Sequence, residues 1–137
     1  VTHLEPTEAA AIATLRRGIR GPVVMLNLLR FRRVADYAAT PDLAPPAPVT
    51  GAEAYARYIA HTRPHLEASG GAILFDGTGG PWFIGPEAEH WHRALLIRQA
   101  SLEAFLAFAR NEAYLGGIGH RTAALEDSRL LPLAPVG

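Results

Sequence analysis

Six histidines stand in this chain, and four of them fall in two close pairs. His61 and His65 lie four apart in a stretch with helical periodicity. His90 and His92 lie two apart in a stretch that reads as a strand. Each spacing sets both rings on one face of its element. Four imidazoles brought together would suit zinc, copper or nickel. Three features argue against a metal: His61 and His65 sit on the flank of the apolar stripe, Pro64 disturbs their alignment, and no His-Glu-x-x-His pattern occurs. The rings are therefore expected as partly exposed residues at element edges, with no metal.

Three other side chains carry more chemistry. Asn27 is polar inside an otherwise apolar strand, where a buried amide must find partners; it bonds a neighbouring loop or points into a ligand cleft. Arg121 falls on the apolar stripe of a helix and wants a carboxylate, with Asp76, Glu89, Glu126 and Asp127 as candidates. A structural ion pair is the leading expectation and anion binding the second. His120, beside Arg121, has an unperturbed pKa of about 6.5, suited to acid–base work near neutral pH.

Two function classes follow. In the first, an enzyme without an organic cofactor acts on a hydrophobic or aromatic substrate as a cyclase, isomerase or oxygenase. Asn27 would orient the substrate, with Trp91 and Tyr58 beside it as contacts. Arg121 would stabilise developing negative charge, and His120 or His90 would move the proton. This scheme requires the side chains to converge on one pocket. In the second class, a non-enzymatic dimer binds a small metabolite or a partner. For Trp82, Phe83, Trp91, Tyr55 and Tyr58, a place in the core, at its edge or in a dimer interface is expected ahead of a ligand contact. The stretch Gly77-Thr-Gly-Gly80 lacks the spacing and lysine of a phosphate loop. Gly116-Gly-Ile-Gly119 follows a helix, the wrong context for a dinucleotide fingerprint, and no serine sits in a nucleophile elbow.

The elements that must position these residues read along the chain as follows. Residues 7–17 predict a helix capped by Thr7, with Arg16 and Arg17 at its far end and Gly18 as the stop. Gly21-Pro22 turns into a nearly all-apolar strand, Val23–Phe31, expected to be central and covered on both faces. Residues 34–50 hold Pro41, Pro45, Pro46 and Pro48 and predict a long surface loop or a crossing arm. Thr50-Gly-Ala-Glu53 is a capping box opening a helix with the stripe Tyr55, Ile59, Thr62, Leu66, and Pro64 predicts a kink or restart.

Beyond Gly70-Gly71, a strand over 72–76 leads through a glycine turn to an arm at 82–84 and a third strand over 91–99. Ser101 caps a helix with the stripe Leu102, Phe105, Leu106, Ala109. A further helical piece carries Tyr114, Ile118, Arg121 and Leu125, and a last strand begins near Arg129. The order strand, helix, strand, strand, helix, strand predicts a ferredoxin-like α+β antiparallel sheet with helices on one face, preceded by an extra N-terminal helix within residues 1–20. The other face then needs a cover, most simply a second copy.

The chain has 137 residues, the size of one domain. Its 13 basic and 13 acidic side chains cancel, which argues against a nucleic-acid partner; Arg30, Arg32 and Arg33 read as a solvated strand end. No cysteine is present, so disulfides, thiolate nucleophiles and cysteine-bound metal centres are excluded, and a cytoplasmic setting is expected. No apolar run reaches membrane length, and no signal-peptide pattern opens the chain.

Several segments together resemble the family catalogued as domain of unknown function 1330. They are the first strand, the glycine pair after the second helix, the Trp91-led strand ending in Ala100-Ser101, Asn111-Glu112-Ala113-Tyr114, and Arg121 and Asp127 before the last strand. The resemblance covers most of residues 20–133; the proline-rich insert and the N-terminal helix depart from it. It implies a homodimeric α/β barrel made of two ferredoxin-like sheets face to face. Proteins of that fold include cofactor-free monooxygenases, polyketide cyclases, haem-degrading enzymes and effector-binding modules, so the fold leaves the activity open.

Overall fold

The structure, a computed structural model, describes residues 1–137. Thr7 accepts the Ala10 N–H and starts α1, Glu8–Arg16. Gly18 and Gly21 then take positive φ, which lets the chain reverse into β1, Val23–Phe31. After the proline-rich loop, with one short 3₁₀ turn at Pro41–Leu43, Thr50 caps α2, Gly51–Ala68, by accepting the Glu53 N–H. Next come β2 (Ala72–Thr78), β3 (Arg93–Gln99) and α3 (Leu102–Ala109), the last capped by Ser101. The short helices α4 (Glu112–Leu115) and α5 (Ile118–Ala124) lead into β4, Leu125–Leu133.

The strands form one antiparallel sheet in the order β2-β3-β1-β4, with helices α2 to α5 on one side, so the α+β ferredoxin-like expectation holds. The period-2 alternation of β1 divides its side chains between two environments. Val23, Met25, Asn27 and Leu29 are buried on the helix side. One core cluster gathers Leu29, Leu95, Leu125, Tyr55 and Tyr58 under α2 and α5, and a smaller one joins Val23 and Met25 to Leu102 of α3. Full burial of a leucine such as Leu29 is worth about 2 kcal/mol. On the other side Val24, Leu26, Leu28 and Leu96 are half-buried and Phe75 is exposed. β1 is central, but this chain covers only one of its faces.

Three further expectations change. α2 runs through Pro64 as a single helix. Pro64 and Ala60 are both exposed, so water can satisfy the carbonyl that proline leaves free, while Tyr58, Thr62 and Leu66 hold the two halves on the sheet. β4 starts at Leu125 rather than near Arg129, so Leu125 belongs to a strand and not to a helical stripe. β3 starts at Arg93; Trp91 and His92 precede it.

Candidate functional site

His120 is drawn into a specific pair. Its Nδ1 lies 2.7 Å from the Tyr37 hydroxyl, and the rings meet edge to face. The loop that presents Tyr37 is pinned to the helix layer: the Ala35 N–H donates to Val49 O, the Asp36 N–H to Ala123 O, and Asp36 Oδ1 accepts the Ala38 N–H. Gly119 has no room for a side chain, because a Cβ there would run into Thr40 and Leu43. Burial pushes the His120 pKa down, and Arg57 and His61 push the same way, so the ring favours its neutral form. Burial raises the Tyr37 phenol, with Arg57 partly opposing it.

Tyr37 also lines a shallow groove of about 310 Å³, together with Val34, Ala35 and residues 44–49. The wall is almost entirely apolar. Proline makes it stiff, because each ring locks φ and removes a donor. A second depression, of about 510 Å³, lies between Arg63, Leu66 and Glu67 of α2 and residues 70–73, and it meets none of the six candidate site residues.

The other candidates lie elsewhere. Arg121, although next to His120, donates to Leu4 O at 2.8 Å and to Ser128 Oγ at 3.3 Å, and none of its four expected carboxylate partners bonds it. Its guanidinium ties the N-terminal segment to β4. Ser128 Oγ in turn donates to His3 O. Asp127 is committed too. Burial alone would raise its pKa, but donation from the His3 N–H, Arg129 and the Ser128 N–H outweighs that and holds it low. Asp76 pairs with Arg93 through both carboxylate oxygens, and the Arg93 guanidinium lies 5.4 Å from the Tyr55 ring centre.

Tyr58 is buried, and its hydroxyl meets that of Tyr114 at 2.7 Å. Burial raises the Tyr114 and Tyr55 phenols well above their usual range. Asn27 donates through Nδ2 to Met25 O of its own strand at 3.1 Å. It faces the helix layer between Leu95 and Leu130, and the observed bond is within its own strand rather than to a neighbouring loop. Trp91 is only 3% exposed, with the Arg129 and Arg30 guanidiniums 5.0 and 5.7 Å from its ring centre and with its Nε1–H unpartnered.

The histidine pairs form as their spacing requires: the rings of His61 and His65, and those of His90 and His92, are each 5.2 Å apart. The pairs do not join, and no three His, Asp or Glu side chains are placed to hold a metal ion. His61 Nε2 donates to Ala113 O. His92 Nδ1 accepts the Phe31 N–H at 2.9 Å, so its neutral ring carries the proton on Nε2; burial, and then His90 and Arg30, lower its pKa accordingly.

Of the six residues proposed from sequence, only His120 gains a polar partner beside a groove. Asn27, Tyr58 and Trp91 are held in the interior, Arg121 in a structural tie, and His90 at the base of the arm that precedes β3. The residue that sequence reading missed is Tyr37. Its one signal was to be the only aromatic in the proline-rich stretch 34–50.

No protein-family model and no curated protein matches this chain. Solved structures do. The methylated RPA0582 protein is 39% identical over 99% of this chain and 96% of its own, with a TM-score of 0.84. A second structure, of the RPA0582 protein of unknown function from Rhodopseudomonas palustris, is 38% identical over 100% of this chain and 99% of its own, with a TM-score of 0.82. A dimeric ferredoxin-like protein of unknown function from Thermobifida fusca is 12% identical over 84% of this chain and 92% of its own, with a TM-score of 0.50, a likeness of fold alone.

Proposed function

This chain belongs to the family of the Rhodopseudomonas palustris RPA0582 protein, and we propose that it works as a homodimer holding a small hydrophobic molecule in the proline-lined groove, where His120 moves a proton. The observation that carries the site is the 2.7 Å bond between Tyr37 and His120 behind an apolar groove. An apolar wall broken by one phenol, Tyr37, which is bonded from behind by an imidazole, is the composition of a small-molecule site. A mostly neutral imidazole is the form that accepts a proton. The corresponding chemistry is proton transfer of the cyclase or isomerase kind, without an organic cofactor.

The dimer rests on the bare sheet face. Phe75 is 59% exposed and Leu131 52%, with Leu26, Leu28 and Leu96 continuous with them. An apolar face of this extent marks an interface. The dimeric state named for the Thermobifida fusca protein accords with this reading. Placement of the family within domain of unknown function 1330 is part of the same proposal, supported by the residues that carry that resemblance.

A second reading, binding without turnover, draws on Tyr37: a phenol held protonated and already hydrogen-bonded suits recognition more than proton transfer. One experiment addresses the site, and its native-mass readout addresses the dimer. 1-Naphthol is titrated into the wild type, into Ala44→Trp, which fills the groove, and into Tyr37→Phe. The His120 ring is followed by NMR, and subunit mass by native mass spectrometry. The expected result is a dimer whose His120 signals move on naphthol addition, with no movement in Ala44→Trp. Loss of the His120 response in Tyr37→Phe supports coupling through the phenol. His120 signals indifferent to naphthol in the wild type refute the site, and a monomeric mass refutes the dimer.

A further inference from the structure

Two apolar elements lie at opposite edges of the sheet, and neither is covered by its own chain. One is the arm between β2 and β3. Phe83 and Ile84 at its tip are 102% and 87% exposed, with Trp82 beside them at 41%. The arm is not loose. Pro81 and His90 form a β-bridge, the Trp91 N–H donates to Gly80 O, the Glu89 N–H donates to Pro86 O, and Trp82 Nε1 donates to Glu89 Oε2 at 3.2 Å. Gly85 carries no side chain because the Trp82 ring occupies that space. A fixed backbone thus holds a phenylalanine and an isoleucine out into water, an arrangement that marks a contact surface.

The other element is α1, on the β4 side, where Arg17 Nη1 donates to Pro132 O at 2.6 Å. This nine-residue helix buries none of its residues, and Ile12 and Leu15 are 41% and 53% exposed. A helix so short is marginal in water without a packing partner. The two elements are also matched in charge. Glu87 and Glu89 flank the arm tip, while Arg16 and Arg17 stand beside Leu15 and Arg20 follows.

Topology brings the two together in a second copy. β2 and β4 are the outer strands of the sheet. When two such sheets face each other across a twofold axis running along the strands, β2 of one lies against β4 of the other, and the same contact occurs twice. The arm then reaches the α1 side of its partner.

We infer that the arm of each copy clasps the partner subunit, seating Phe83 and Ile84 on the Ile12–Leu15 face of α1 with the arm carboxylates toward the α1 arginines. This clasp rests on the homodimer reading, and its test separates the two. Because the chain has no cysteine, Phe83→Cys and Leu15→Cys are each made singly, mixed, allowed to exchange, and treated with a short bismaleimide, with native mass spectrometry run in parallel. The expected result is a cross-linked dimer in the mixture and little in either variant alone. Cross-linking of Phe83→Cys by itself overturns the clasp in favour of arm-to-arm contact. A dimer that never cross-links overturns the clasp and leaves the dimer standing, whereas a monomer overturns both. As a second readout, Phe83→Ser with Ile84→Ser raises the dimer dissociation constant at least about tenfold; an unchanged constant refutes the docking.

Discussion

Removing the hydroxyl of Tyr58 tests whether that residue is a structural lock or a ligand contact. Tyr58 and Tyr114 are 8% and 7% exposed, and their hydroxyls are 2.7 Å apart. Tyr58→Phe deletes a bond worth about 1 kcal/mol net and strands the Tyr114 hydroxyl in the interior, which adds about 1 kcal/mol more. The expected loss is about 2 kcal/mol, and Tyr114→Phe is symmetrical. The double variant strands nothing. Its rings, with centroids 6.1 Å apart, still meet edge to face, so it costs about 1 kcal/mol or less by the same reasoning. The pair should therefore show a coupling of about 3 kcal/mol in a double-mutant cycle. At this chain length each single variant lowers the melting temperature by about 6 °C. The assay is urea unfolding of all four proteins at one protein concentration, so that subunit association shifts them alike. Additive losses would refute the lock. A Tyr58→Phe variant as stable as the wild type would return that phenol to the list of ligand contacts.

Stability should fall in acid, in two stages. His92 and His120 have lowered pKa values in the folded chain, chiefly through burial, so their contribution is complete above the unfolded value of about 6.5 and is lost as pH drops from there through the folded values. Asp76, held low by its Arg93 bond, and Asp127 add a second loss below the unfolded value of 3.8; urea midpoints at pH 8, 5.5 and 3.5 check both stages, and a maximum at pH 5.5 contradicts the first. Arg121→Ala should cost about 2 kcal/mol by deleting two bonds from a charged donor, and faster amide exchange at His3, whose N–H is held by Asp127, should accompany it. Gly117→Ala places a Cβ against the His61 ring and should cost about 1–3 kcal/mol through overpacking; His61→Ala in the same chain should restore part of that loss in thermal melts, and no restoration would mean the clash is not with His61.

Much of the frame was legible from residue order, because its causes are short-ranged. Thr7, Thr50 and Ser101 each accept the N–H three residues on, a geometry set within one helical turn. Val23–Phe31 reads as a strand from its own composition, and its bounds agree with the structure. The stripes of α2 and α3 turn inward as their periodicity requires. The start of β4 was not legible, because Leu125 continues a helical spacing until pairing with Phe31 draws it into the sheet. The partners of Arg121 were not legible either, since Leu4 lies 117 residues away, and Tyr37 meets His120 across 83 residues. Local periodicity and capping depend on the nearest few side chains, and those the sequence by itself determined. Which polar groups meet depends on how the β2-β3-β1-β4 sheet folds distant segments over one another. The tertiary structure therefore decided that Asn27 bonds its own strand, that Arg121 ties the N-terminal segment to β4 and that His120 meets Tyr37 of the groove wall, because a buried donor or acceptor must bond whatever the completed fold places within reach.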